Sequence, residues 1–136
     1  MIGILIVTHG NLGETLLLTA EMIMGKQDNI RFLALPYDKD INELQKEIAD
    51  CIVELDQGSG VIVFTDLFGG SPNNSVAMNL RDRQFAALTG VNLPMLVECL
   101  SLREFTPLDE LAVQVREAGI SGIKDLNEVI KKGGEK

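Results

Sequence analysis

The lone histidine, His9, ends an apolar run at Thr8-His9-Gly10, and Asp66 ends another at Thr65-Asp66-Leu67. Brought together, an imidazole and a carboxylate make a compact reactive pair. The carboxylate accepts a hydrogen bond from one ring nitrogen, fixes the tautomer and leaves the other nitrogen as an exposed lone pair, a nucleophile or a base. Downstream of Asp66 runs Gly69-Gly70-Ser71-Pro72-Asn73-Asn74. Ser71 is expected to cap a helix and Pro72 to take its first position, where a missing N–H does no harm. The N–H groups of Asn73 and Asn74, with the Ser71 hydroxyl, would then point at an anion held near His9. Gly69 and Gly70 would let the backbone come close to it.

Other chemistries lack parts. The sequence has neither GxxxxGK[ST] nor GxGxxG after its first strand, and one histidine with two separated cysteines gives no zinc spacing. A phosphoaspartate receiver needs an acidic pair after strand one, where Thr8-His9-Gly10 stands instead. His9, Asp66 and Ser71 supply the residue types of a hydrolase triad. However, Gly69-Gly70-Ser71-Pro72-Asn73 breaks GxSxG at its last glycine and puts the serine on the same loop as its aspartate. The residues call for neither metal nor cofactor.

The elements that must position these residues follow from periodicity. Ile2 to Thr8, Ile30 to Leu35, Val61 to Phe64 and Phe85 to Leu88 are short apolar runs of the kind found in buried parallel strands. Between them lie helical patterns. Asn11 and Glu14 have capping-box spacing before Leu16, Ala20 and Ile23, and Gly25 can end that helix in a left-handed conformation. Asp40 and Glu43 repeat the spacing before Leu44, Ile48, Ile52 and Leu55, after an acidic turn. Gly90 to Pro94 turns into a helix reaching Leu102, and Thr106-Pro107 caps another running through Val115.

The alternation βαβαβαβα specifies an α/β fold: a mainly parallel open sheet of order 2-1-3-4, helices on both faces, with right-handed crossovers. In that order strands one and three are neighbours, and His9 and Asp66 meet at the carboxyl edge where such sheets bind ligands. Gly119 to Ile123 has the composition of a short added strand, and Leu126, Val129 and Ile130 of a final packed helical turn. Residues 1–130 read as a single domain and 131–136 as a frayed polar tail.

With 136 residues, 46% apolar and 24% charged, the chain can close one core. A net charge of -8 opposes binding to nucleic acid. Cys51 and Cys99 read as small buried apolar residues in a reduced, cytoplasmic setting. The apolar N-terminal run lacks a basic flank and reads as a strand, not a signal peptide, and no stretch reaches the roughly 18 residues that span a bilayer.

Three separated motifs, Ile6-Val7-Thr8-His9-Gly10, Thr65-Asp66-Leu67-Phe68-Gly69-Gly70-Ser71-Pro72 and Gly90-Val91-Asn92-Leu93-Pro94-Met95-Leu96-Val97-Glu98, resemble the enzyme IIA component of the mannose family of the bacterial sugar phosphotransferase system. The resemblance implies a phosphotransferase working through a phosphohistidine. It makes His9 the acceptor of a phosphoryl group from the phosphocarrier HPr and its donor to a histidine of enzyme IIB, with Asp66 orienting it and Ser71 touching the phosphate. It also implies indirect service to a membrane sugar permease, and a homodimer in which a C-terminal strand, here Gly119 to Ile123, crosses to the partner's sheet. Leu67-Phe68 stands where some mannose members have Thr-Trp. Fused members continue into a IIB domain, whereas this sequence stops at Lys136, as a separate subunit or an excised domain would. The phosphodonor subunit of dihydroxyacetone kinase shares the histidine, and a regulatory protein read by its phosphorylation state is the alternative of another class.

Overall fold

The computed structural model describes residues 1–36 and 40–134. The acidic turn expected after Pro36, and the last two residues of the polar tail, lie outside them. Strands β1 (Gly3–His9), β2 (Ile30–Leu35), β3 (Val61–Thr65) and β4 (Ala86–Leu88) alternate with helices α1 (Leu12–Met24), α2 (Ile41–Leu55), α3 (Ser71–Asn79) and α4 (Leu93–Leu102), followed by α5 (Leu108–Ser121) and α6 (Leu126–Gly134). The sheet is parallel throughout, in the order β2-β1-β3-β4. This is the expected α/β architecture.

The central strands are buried on both faces, and side-chain alternation sorts them between two cores. Ile4, Ile6, Ile62 and Phe64 pack with Ala20, Leu96, Cys99, Leu111 and Val115 from α1, α4 and α5. Leu5, Val7, Val61 and Val63 face Leu44, Ile48, Cys51 and Val76 from α2 and α3. The two cysteines are buried and free on opposite faces of the sheet. Burial pushes the Cys99 thiol up to about 12 and raises that of Cys51. Both are inert apolar filling.

Several helix starts differ from the sequence expectation. Asp40 caps α2 as expected, accepting from the Asn42 N–H at 2.9 Å. At α1, however, the Asn11 side chain makes no cap bond, because its backbone already turns (φ -93°, ψ 12°). The buried Thr8 hydroxyl accepts from the Gly13 N–H instead, at 3.0 Å. Gly25 does take a positive φ of 87°, but with extended ψ (168°). Pro107 precedes α5 with no side-chain cap bond from Thr106.

The largest correction is at the C-terminus. The strand expected over Gly119 to Ile123 does not form, because α5 runs on to Ser121. Those glycines serve helix packing. A Cβ on Gly119 would fall 2.5 Å from Met95 Cγ, and one on Gly122 would fall 2.6 Å from Pro94 Cγ, so both permit close contact of α5 with α4. Leu126, Val129 and Ile130 are helical but do not pack, since every residue from Ser121 to Gly133 is exposed. Helix α6 continues to Gly134. Among the described residues no helix is long and apolar enough to cross a membrane.

Candidate active site

Parallel pairing sets Val7 beside Thr65, so β1 and β3 end together and present His9 and Asp66 at one edge. Asp66 Oδ2 accepts from the His9 backbone N–H at 2.9 Å and lies 2.8 Å from His9 Nδ1. Burial by itself would raise the Asp66 carboxyl. The hydrogen bonds from the His9 backbone and ring, with a smaller contribution from the Leu67 backbone, outweigh it and hold the carboxyl below its ordinary value. The carboxylate is therefore ionised at neutral pH and can only accept, so Nδ1 carries a ring proton and the lone pair of the neutral ring is on Nε2. The His9 side chain is 52% exposed and that of Asp66 only 10%. The imidazole faces solvent while the carboxylate that holds it is shielded.

The loop after β3 closes against the ring. Gly69 has φ +84°, and a Cβ on Gly70 would sit 3.0 Å from His9 Cε1 and 3.7 Å from Nε2. Any side chain at residue 70 would crowd the reactive edge.

Gly70, not Ser71, is the N-cap of α3, which moves Ser71 and Pro72 one position into the helix. The expected Ser71 cap bond is absent, because a residue already in the helix cannot fold its side chain back to cap it. The Asn74 N–H is also spent, donating to Gly70 O at 2.9 Å, and its side-chain amide donates to Gly69 O at 3.4 Å. Among the described residues the N–H groups of Ser71 and Asn73 have no partner, so these two are the available anion donors at the helix start. The Asn73 side chain faces inward, its Oδ1 accepting from the Thr65 hydroxyl at 3.4 Å. The Ser71 hydroxyl makes no hydrogen bond to His9, so the hydrolase triad is not assembled. No cluster of three or more His, Cys, Asp or Glu suited to a metal occurs among the described residues.

The sequence reading does not single out Thr8, which shapes the loop behind His9. Its signal is a hydroxyl at the last buried strand position before a helix.

Fold and site together define an α/β protein with a carboxylate-anchored histidine at the topological switch point of a parallel sheet. A family model described as the fructose IIA component of the phosphotransferase system matches residues 3–116. The chain is 37% identical over 127 residues to the mannose-specific EIIAB component of Escherichia coli K12, covering 92% of this chain and 39% of that protein. It is 34% identical over 114 residues to the fructose-specific EIIA component of Bacillus subtilis, covering 82% of this chain and 77% of that one. The crystal structure of a phosphotransferase system component EIIA from Streptococcus agalactiae superposes with a TM-score of 0.85 at 29% identity, covering 94% of this chain and 99% of that one. The chain belongs to the mannose family of phosphotransferase-system IIA components. It spans 39% of the length of its mannose-specific relatives.

Proposed function

We propose that the chain is a phosphocarrier that takes a phosphoryl group from phospho-HPr on His9 Nε2 and passes it to a histidine of enzyme IIB, in the cytoplasm, in support of a membrane sugar permease. The observation that carries this reading is the 2.8 Å contact between His9 Nδ1 and an ionised Asp66. The Nε2 lone pair attacks phosphorus, a P–N bond forms, and the bond to the donor imidazole breaks with its electron pair returning to that ring. The phosphorylated His9 ring is cationic, and Asp66 stabilises it through the Nδ1 proton. The unpartnered N–H groups of Ser71 and Asn73 at the start of α3 would donate to the phosphoryl oxygens, with Gly69 and Gly70 giving access. The reverse steps deliver the group to IIB.

Incubation with phosphoenolpyruvate, enzyme I and HPr, followed by intact mass, should show one added phosphoryl group, which leaves on addition of IIB. A phosphorylated chain that no IIB discharges would favour the regulatory reading.

Asp66→Asn is expected to slow transfer roughly 10- to 100-fold, since an amide can hold the ring but forfeits a charge-assisted bond of about 1.5–3 kcal/mol. Wild-type transfer would reduce Asp66 to a turn residue. The same variant has a pH signature. A carboxyl held below its ordinary value of about 4 adds stability that is fully present above that value and is lost as pH falls through the depressed folded value. Asp66→Asn should flatten this part of the acid dependence in urea unfolding. An unchanged acid limb would contradict it.

The homodimer belongs to the same proposal, by a route other than the expected strand. The short edge strand β4 and the exposed Ile120, Ile123, Leu126 and Ile130 are the surfaces a second copy would cover. Sedimentation at micromolar concentration should give twice the chain mass, with truncation after Gly122 yielding monomer. A monomeric full chain would reject it.

A further inference from the structure

A crevice of about 500 Å³ lies between α2 and the end of α3, lined by Asn42, Gln45, Lys46, Arg81, Asp82 and Arg83. None of these residues takes part in the His9 site. Its lining sets three cations against one carboxylate, on a chain of net charge -8. Among the described residues neither Lys46, Arg81 nor Arg83 has a carboxylate within ion-pair distance. Arg83 Nε is also buried with no hydrogen-bond partner, and leaving such a donor unsatisfied is costly. The arginines are not needed to close α3. The carbonyls of Ala77, Met78 and Asn79 already accept from the N–H groups of Leu80, Arg81 and Asp82.

We propose that this crevice binds a tetrahedral oxyanion of the phosphate class. Arg83 would supply the planar fork that matches two phosphate oxygens, Lys46 and Arg81 the balancing charge, and the Asn42 and Gln45 amides neutral donors at the rim. A dianion is repelled by the chain as a whole, so the local excess of cations is what makes the site selective. Inorganic phosphate and a phosphate ester present the same oxygens, and the experiment separates them.

The test follows the arginine Nε–H and side-chain amide resonances of the 15N-labelled His9→Ala chain during titration with inorganic phosphate, with sodium chloride at matched ionic strength as control. Use of His9→Ala keeps any failure here separate from failure of phosphoryl transfer. Saturable shifts at Arg83 are expected, weakened at least about tenfold in Arg83→Gln and less in Arg83→Lys, with the backbone spectrum preserved. A hexose phosphate that binds more tightly identifies an ester as the ligand, and equal binding identifies free phosphate. Shifts that rise linearly and match those of chloride, or that survive unchanged in Arg83→Gln, would overturn the proposal.

Discussion

Replacement of His9 by alanine or glutamine is expected to abolish phosphoryl acceptance while leaving the fold intact. His9 is the chain's only histidine, and its side chain is half exposed, so its removal opens no core cavity. Among the described residues no other side chain joins a ring nitrogen to an ionised carboxylate. Glutamine cannot substitute, because an amide nitrogen has no basic lone pair to form the P–N bond. Wild-type protein charged from phosphoenolpyruvate should gain one phosphoryl group that is labile in acid and stable in base, as a phosphoramidate is. Both variants should remain at the unmodified mass and keep the wild-type far-UV circular dichroism. Persistent labelling of either would place the acceptor elsewhere and dismantle the site described above.

The second large effect falls at the other end of the sheet. Arg103, only 2% exposed, follows α4 and reaches under the starts of β1 and β2. Its Nη1 donates to Ile2 O at 3.2 Å and Asn29 O at 3.4 Å, and its Nη2 to Asp28 O at 2.6 Å and Gln27 Oε1 at 3.2 Å. Burial disfavours its charge and lowers its pKa, yet among the described residues no carboxylate lies within ion-pair distance of it. Backbone and amide oxygens do that work. Arg103→Met keeps much of the apolar stem but strands these acceptors, so a loss of about 3 kcal/mol or more is expected in urea unfolding. Lysine should recover only part of it, lacking the fork. Phosphorylation of the folded fraction should persist, since His9 lies at the opposite strand ends. A loss below about 1 kcal/mol would show that water replaces the guanidinium without penalty.

The apolar runs, the helical periods and the places where strands stop are local properties, and they make the α/β order and the 2-1-3-4 sheet legible in the sequence. They also placed His9 and Asp66 at one edge, because a parallel sheet with crossover helices directs all its strand ends the same way. Cap identities were less legible. Thr8 displaces Asn11, and Gly70 displaces Ser71, because each cap depends on a backbone angle at a single residue that spacing does not encode. The Gly119-Gly122 stretch misled for a related reason. Glycine beside isoleucine is as compatible with a short strand as with a helix, and only Met95 and Pro94 on α4 decide that the glycines are there for contact.

The sequence by itself therefore determined which residue types carry the chemistry and which strand ends bear them, since hydrophobic period and turn residues act over a few positions. Tertiary structure alone decided that two groups 57 residues apart stand 2.8 Å from each other, that the Ser71 and Asn73 N–H groups and not that of Asn74 remain available, and that a buried guanidinium binds the strand starts. Hydrogen bonds change markedly over a few tenths of an ångström. Distances that fine are set only when the two cores close on either side of the sheet.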